Sequence, residues 1–318
     1  MVPKWASFFR QQKYDNFITL IRQYFKKQKL EIKDYFYEGY FYVTLSDSNR
    51  IRFGLVNLAK QCSTKSQSKW KTIIKQHFDN SFDTIKAQRE FNTKAQNFKF
   101  AKKYLGVKVY PKSRFEQEHY RSYIFKEVMD DLVAALVFVQ KQQISIINIE
   151  EFPNWNKEID ELFEIGHANI KKQYPITFEK ITLNNQLQIF AANTDHMFAT
   201  NVIFDLDQRT ELLGRFGTIL SIPNRNITFL YPIQETTPVS DAVLAYKEFT
   251  LTGRTLAAEQ PGRISDQAYW FHNGEFTPLG YMVVTKDTKP LVILTPPDSF
   301  QDMLNKLDPS EMDEIEKQ

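Results

Sequence analysis

The chain has 318 residues, of which 42% are apolar and 14% aromatic, and its formal net charge is +3. This composition can fill the core of one large domain or two ordinary ones, and it excludes the disordered, collagenous and repeat-rich classes. A single cysteine, Cys62, excludes an intramolecular disulfide and a zinc site built from several cysteines.

The sequence carries no sign of an export or membrane segment. Its amino terminus lacks the apolar core of about 7 to 15 residues that a signal peptide needs. The longest apolar run, LVAALVFV at 132–139, is much shorter than the roughly 20 residues of a membrane-spanning helix. We therefore expect a cytoplasmic protein with no membrane partner, and the lone cysteine agrees with a reducing compartment.

Charge is distributed unevenly along the chain. Residues 1–120 contain 24 lysines and arginines against 10 aspartates and glutamates, a net charge of +14, and the remainder contains 17 against 28, a net charge of −11. A basic half can attract nucleic acid or another polyanion, form a solvated surface, or pair with its own acidic half. The charge count leaves these three interpretations open.

The first half predicts a basic α+β unit. A helix is expected from Asp15, a suitable N-cap, because apolar residues follow at helical spacing: Phe17, Leu20, Ile21, Tyr24 and Phe25. Aromatic and β-branched residues from Tyr35 onward, including IRFGLVNL, then predict a meander with turns at Glu38-Gly39 and at 46–49. Two further helices follow, one around Trp70 and a longer polar one. The predicted unit covers residues 1–105, and turn signals predict a connecting segment over 106–120.

The second half predicts a larger α+β domain over residues 121–300. The predicted strands are DLVAALVFV, ISIINI, LQIFAA, the hairpin TILSI and ITFLYP around PNRN, the hairpin YWFHNGEF, and LVIL. Helices are expected around Leu162, from Phe198 to Leu206, in TELLGRF with Gly217 as its C-cap, beyond Ser240, and in DMLNKL. Residues 252–267 are predicted as a loop, and 301–318 as an acidic tail. The predicted fold class is α+β, with mainly antiparallel sheets, flanking helices and two subdomains.

The order of these features resembles the YtpQ-like family of bacterial proteins. The resemblance covers roughly residues 125–285 and rests on DLVAALVFV, Trp155 with ELFEIGHANI, IFAANTDHMFATNVIFDL, SIPNRNITFL and GEFTPLGYMVV. Two positions differ from the family pattern, which commonly has an acidic residue where this chain has Asn226 and a glycine where it has His196. The resemblance implies an α+β fold and a bacterial cytoplasmic origin, and it implies no particular reaction.

No catalytic residue, metal site or cofactor is predicted. The sequence has no glycine-rich phosphate loop, HExxH motif, nucleophile elbow or kinase motifs. The five histidines show no ligand spacing: His77, His119, His167, His196 and His272. Cys62 has no recognisable partner and is expected to be a small buried residue, although a nearby histidine would make it a candidate nucleophile.

Two short segments supply the candidate binding residues. Asp195 and His196 lie between a predicted strand and a predicted helix, whose free N–H groups can receive an anion or can simply be capped. In PNRN, turn geometry accounts for Pro223 and the asparagines but not for the arginine. A guanidinium group there can hold a carboxylate or phosphate at two points, or can cover a neighbouring strand. The predicted binding residues are Arg225, Asn224, Asn226, Asp195 and His196.

Three functions follow as hypotheses. The first is a non-catalytic bacterial binding protein with a protein partner. The second is a protein that binds nucleic acid weakly and without sequence specificity, through basic residues interleaved with aromatic ones: Trp5, Phe8, Phe9, Tyr24 and Trp70. The third is a hydrolase, which requires distant carboxylates to meet in space: Asp130, Asp131, Glu150 and Glu151.

Overall fold

The structure is a computed structural model that describes residues 1–45, 50–116, 122–141, 143–183, 187–259, 262–286 and 289–307. The predicted turn at 46–49, His119 and the end of the acidic tail lie outside these residues. The chain divides into two compact units, Met1–Thr93 and Lys94–Gln318. Both combine helices with antiparallel sheets, so the predicted α+β class is confirmed.

The first unit places three helices beside one small sheet. Its elements are α1 (Gln11–Lys27), β1 (Glu31–Tyr35), β2 (Tyr40–Thr44), β3 (Arg50–Gly54), α2 (Val56–Ser63) and α3 (Gln67–Ala95). The strands form an antiparallel sheet in the order β1-β2-β3. Phe25 of α1 packs against Phe41 of β2 and Phe78 of α3, with ring centroids 5.1 and 4.8 Å away. One face of the sheet therefore lies on the helices.

Three predictions for this unit need correction. Helix α1 begins at Gln11 after Arg10, so Asp15 lies inside the helix and accepts a hydrogen bond from the Gln11 side chain. The segment IRFGLVNL is a strand only as far as Gly54, because α2 begins at Val56. The two helices predicted after it form the single helix α3, since no glycine or proline interrupts residues 67–95.

The second unit contains two antiparallel sheets. Its elements are α4 (Phe98–Ala101), β4 (Leu105–Pro111), β5 (Phe125–Met129), β6 (Leu132–Gln140), β7 (Gln143–Ile146), α5 (Ile159–Gln173), β8 (Glu179–Leu183), β9 (Leu187–Asn193), β10 (Thr218–Asn224), β11 (Ile227–Pro232), α6 (Val239–Glu259), β12 (Ala268–His272), β13 (Glu275–Lys286), β14 (Lys289–Thr295) and α7 (Asp298–Leu307). One sheet has the order β4-β6-β5, with β7 also paired to β6. The other has the order β14-β13-β12-β10-β11-β9-β8.

The predicted connecting segment, 106–120, begins as a buried strand. Strand β4 pairs with β6 from Leu105 opposite Phe138 to Pro111 opposite Leu132, and it is buried over most of its length. The glycine and proline that suggested turns lie inside and at the end of this strand. The second unit consequently begins at Lys94 and not at 121.

Other differences lie between the strands. The predicted helices from Phe198 to Gly217 are instead short 3-10 turns, at Ala199–Phe204, Leu206–Gln208 and Thr210–Leu212. Helix α6 continues through the first half of the predicted loop at 252–267, because TLAAE favours a helix. Both predicted hairpins are confirmed, and Asn273 and Gly274 have the positive φ angles, 51° and 82°, of a type I′ turn. Within the described residues, no helix is long and apolar enough to cross a membrane.

Helix α5 crosses β4 where two glycines meet. A Cβ atom at Gly166 would lie 3.0 Å from the backbone carbon of Gly106 and 3.1 Å from a methyl carbon of Val107. The Asn169 side chain, one turn further along the helix, donates a hydrogen bond to the Leu105 carbonyl at 2.9 Å. This close approach fixes the strand that carries Lys108 and Tyr110.

We predict that Gly166→Ala destabilises the second unit by about 1 to 3 kcal/mol, because the new methyl group overpacks the contact with β4. Helix propensity alone predicts the opposite sign, a gain of up to about 1 kcal/mol. Ala168→Gly, at an exposed position of the same helix, is the matched control and should destabilise by about 1 kcal/mol. Urea unfolding checks both, and opposite signs for the two variants would contradict the close-packing account.

Candidate anion-binding site

The asparagines of the PNRN hairpin tip have structural roles. Asn224 is 1% exposed and its side-chain oxygen accepts a hydrogen bond from the backbone N–H of Asn226 at 2.9 Å. The Asn226 side chain donates to the carbonyls of Thr194 and His196 at 3.1 and 2.9 Å. The tip of the β10–β11 hairpin is thereby joined to the loop after β9.

The predicted helix N-terminus at Asp195 and His196 is replaced by a turn. The six-residue 3-10 helix Ala199–Phe204 follows it, and no α-helix begins there. His196 accepts a hydrogen bond on Nδ1 from the backbone N–H of Phe198 at 3.3 Å. Asp195 is exposed. The structure thus brings His196 to Asn226, but it does not form the helix-end anion site that the sequence suggested.

Arg225 is held from the other side by the loop after α6. Its backbone N–H donates to the Gly262 carbonyl at 3.0 Å, and Ile264 donates to the Pro223 carbonyl at 3.0 Å. Gly262 has a φ angle of +83°, and a Cβ atom there would lie 2.8 Å from Cδ of Arg225. Glycine therefore permits both the backbone turn and the contact with the arginine side chain.

Arg225 lines a cavity of about 470 Å³, a size typical of small-molecule sites. The walls come from the end of β4, the 3-10 turn Lys112–Phe115, the hairpin tip and the loop after α6. Four cationic side chains line it, namely Lys108, Arg114, Arg225 and Arg263. Arg263 forms an ion pair with Asp266 at 2.9 Å. The other three have no ion pair among the described residues, and no described carboxylate lines the cavity.

Lys108 is the most unusual member of this group. It is only 5% exposed, and its Nζ lies 4.4 Å from the centroid of the Tyr110 ring, which Arg114 also approaches to 4.9 Å. Burial, followed by the charges of Arg225 and Arg114, lowers the pKa of Lys108 to about 7. Positive charge is therefore concentrated here without a carboxylate among the described lining residues, so an anion would be attracted into the cavity.

A second, smaller cavity differs in its charge balance. It has a volume of about 200 Å³ and is lined in part by His167, Asn201 and Asp205. Asp205 is buried and forms ion pairs with Lys171 at 2.9 Å and Arg209 at 3.3 Å. Burial lowers the pKa of His167, which keeps the imidazole neutral at pH 7. Because the Asp205 carboxylate offsets part of the charge of Lys171 and Arg209, this cavity has weaker attraction for an anion than the cavity around Lys108.

The four carboxylates of the hydrolase hypothesis are divided between two places. Asp131 follows β5 and accepts hydrogen bonds from the hydroxyls of Ser265, at 2.7 Å, and Tyr269. Glu150 and Glu151 belong to the 3-10 helix Ile149–Glu151, whose first N–H donates to Ser122, just before β5. Strand β5 thus separates the two pairs. Within the described ranges, no three His, Cys, Asp or Glu side chains are grouped to hold a metal ion.

Sequence reasoning found Arg225 but missed its neighbours Lys108 and Arg114, which it placed in a connecting segment. One signal was available: Lys108 interrupts an apolar run, VKVY, whose neighbours are typical of a buried strand. A lysine in such a run either lies on an exposed face of the strand or is buried where its amino group has a role in a site. The proximity of Lys108 to Arg225, which follows more than 100 residues later in the chain, depends on tertiary structure.

We predict that Lys108 makes stability depend on pH. Its pKa is about 7 in the folded chain and 10.5 when unfolded, so between these values the unfolded chain binds more protons. The free energy of unfolding should therefore rise with pH across this window, by up to roughly 5 kcal/mol. Lys108→Met should remove this rise and be more stable than wild type at pH 7.

Urea unfolding at pH 7, 8 and 9, in a buffer free of multivalent anions, measures this effect as the difference between variant and wild type. Lys172→Met, at an exposed position of α5, should follow the wild-type profile within about 0.5 kcal/mol. Parallel profiles for wild type and Lys108→Met would show that Lys108 keeps an ordinary pKa.

Comparison with known proteins finds no match to this chain among family models, curated proteins or solved structures. Membership of the YtpQ-like family therefore stays a prediction from the sequence segments quoted above.

Proposed function

We propose that the protein is a non-catalytic binding protein that holds an anionic group, a phosphate or a carboxylate, in the cavity around Lys108 and Arg225. The observation that carries this proposal is the set of three cationic side chains, Lys108, Arg114 and Arg225, without a described ion-pair partner. A cytoplasmic location is part of the proposal and is supported by the single cysteine.

The three cations would contribute in different ways. The guanidinium groups of Arg225 and Arg114 can each present two parallel N–H donors to a phosphate or carboxylate. Lys108 would act as a buried point charge, and its attraction is strong because little water surrounds it. An anion beside Lys108 would favour its charged form, so binding above pH 7 should be accompanied by uptake of a proton.

The rest of the lining also supports binding over catalysis. Besides its cations, the cavity offers the apolar side chains of Ile144, Met197 and Ile264 and the hydroxyls of Tyr110 and Ser113. Burial raises the pKa of Tyr110, which keeps its hydroxyl protonated as a donor. Such a set can orient an anion that is attached to a partly apolar group, as on a protein partner.

We predict that inorganic phosphate binds wild type and that Arg225→Ala weakens binding by about 1.5 to 3 kcal/mol, roughly 10- to 150-fold in Kd. Arg225→Lys should recover only part of this loss, because an ammonium group lacks the planar two-point contact. Calorimetric titration at constant ionic strength measures both. Arg215→Ala, which removes an exposed arginine paired with Glu235 at 3.6 Å, should bind like wild type.

Proton uptake provides a second readout for the same site. Titrations at pH 8 in buffers of different ionisation enthalpy should show uptake of a proton by wild type but not by Lys108→Met. A phosphoserine peptide and an unphosphorylated acidic peptide then distinguish phosphate from carboxylate recognition. Equal binding of phosphate by wild type, Arg225→Ala and Lys108→Met would reject the cavity as the site.

A further inference from the structure

The outer face of the small sheet in the first unit has a composition that its fold does not require. Alternation along the strands directs Phe41, Val43 and Phe53 to the helices. The opposite face carries Glu31 and Thr44 in its end row and, from all three strands, six aromatic and basic side chains: Lys33, Tyr35, Tyr40, Tyr42, Arg50 and Arg52. We refer to these six residues as the tyrosine platform.

The three tyrosines form one continuous aromatic cluster. Tyr35 stacks on Tyr40, its partner across β1 and β2, with a centroid distance of 5.2 Å and an angle of 19° between the rings. Tyr42 meets both rings edge-on, at 5.8 and 5.7 Å. All three are partly exposed.

Open space borders this cluster on the β3 side. Gly54 of β3 is the partner of Tyr40, and nothing lies within 4 Å of a Cβ atom built at Gly54. Aromatic surface therefore stays accessible beside the strand.

Basic side chains border this cluster. Lys33, Tyr42 and Arg52 occupy one row across the three strands. The Arg52 guanidinium lies 4.1 Å from the Tyr40 ring centroid. Lys33, Arg50 and Arg52 are exposed and have no ion-pair partner in the described part of the chain. The first unit, residues 1–93, contains 17 lysines and arginines against 8 aspartates and glutamates, a net charge of +9.

The aromatic residues that the sequence suggested for nucleic-acid binding mostly lie elsewhere. Phe9 and Trp70 are buried, at 5% and 1% exposure, and their rings pack 5.3 Å apart in the core. Trp5 donates a hydrogen bond to the Phe36 carbonyl at 3.0 Å, and Tyr24 donates to Asp79 at 2.7 Å. These four side chains stabilise the unit, whereas Phe8 is 43% exposed and, among the described rings, meets only Phe9, edge-on at 4.9 Å. Several partly exposed rings in mutual contact are found instead among the tyrosines of the sheet.

We propose that the tyrosine platform binds single-stranded nucleic acid. Bases would stack on the exposed surface of Tyr35 and Tyr42, which Tyr40 supports through its contacts with Tyr35 and Arg52, and the phosphates would lie along Lys33, Arg50 and Arg52. A sheet face with stacking aromatic rings and flanking cations matches the chemistry of an unpaired strand. A duplex keeps its bases stacked inside, so it can use only the charges. An acidic peptide likewise gains little from tyrosine rings.

Fluorescence anisotropy of a labelled 15-nucleotide oligo(dT), titrated with the full chain, tests this proposal. We expect the single strand to bind at low salt more tightly than a duplex of the same length, and to outcompete polyglutamate of the same total charge. Lys33→Gln/Arg50→Gln/Arg52→Gln should weaken binding and lower the slope of log affinity against log salt by about 2, because each neutralised phosphate of a single strand contributes about 0.7 to that slope. Lys60→Gln/Lys71→Gln/Lys86→Gln removes the same charge from exposed positions of α2 and α3 and should leave most of that slope.

A second variant separates stacking from charge. Tyr35→Thr/Tyr40→Thr/Tyr42→Thr keeps strand-forming residues and the net charge, and it should lose at least tenfold in affinity with an unchanged salt slope. Circular dichroism verifies its fold, and Tyr42→Thr alone replaces it if the triple variant unfolds. Tighter binding of the duplex or of polyglutamate, or equal losses in the two charge variants, would overturn the proposal. Inorganic phosphate, added at constant ionic strength to occupy the cavity, should not displace oligo(dT), which keeps this test separate from that of the cavity.

Discussion

The antiparallel pairing of β4 with β6 determines where the groups of the basic cavity lie. Leu105 to Pro111 pair with the length of β6, and this pairing directs Lys108 and Tyr110 to the same face of the sheet. On this strand, α5 rests at Gly106, and Asn201 donates a hydrogen bond to the Val107 carbonyl at 2.8 Å. A strand held by α5 on one face, by β6 along one edge and by Asn201 at the other edge keeps Lys108 in place although its charge opposes burial.

Burial of Lys108 has an energetic cost that the surrounding packing must offset. A methionine of similar length would fill the same space without removing an ammonium group from water. The neighbouring arginines increase the cost, since they repel the charged form. An arrangement that lowers stability in this way is common where a binding or catalytic site is formed. The stability lost by burying Lys108 is the strongest physical reason to place the candidate anion-binding site in this cavity.

Much of the fold could be predicted from local patterns. Turn residues identified the PNRN and Asn273-Gly274 hairpins, and apolar runs identified β6, β7, β9 and β14. Strand β4 was missed because Gly106 resembled a turn residue, whereas its role is to allow contact with Gly166. Arg225 could be found because turn geometry did not explain it. Lys108 and Arg114 come close to Arg225 only through the packing of elements from two different sheets, and no local pattern contains that information.

The burial of Cys62 has a practical consequence for both units. Its side chain is fully buried in the first unit, and burial raises the pKa of its thiol to about 11. Alkylating reagents react with the thiolate, so in the native state this group should be nearly inert. Because the sequence contains one cysteine, the rate of alkylation would report only those openings that expose α2. The alkylation rate can therefore separate the free energy of local opening in the first unit from the stability of the second unit, in a chain without substitutions.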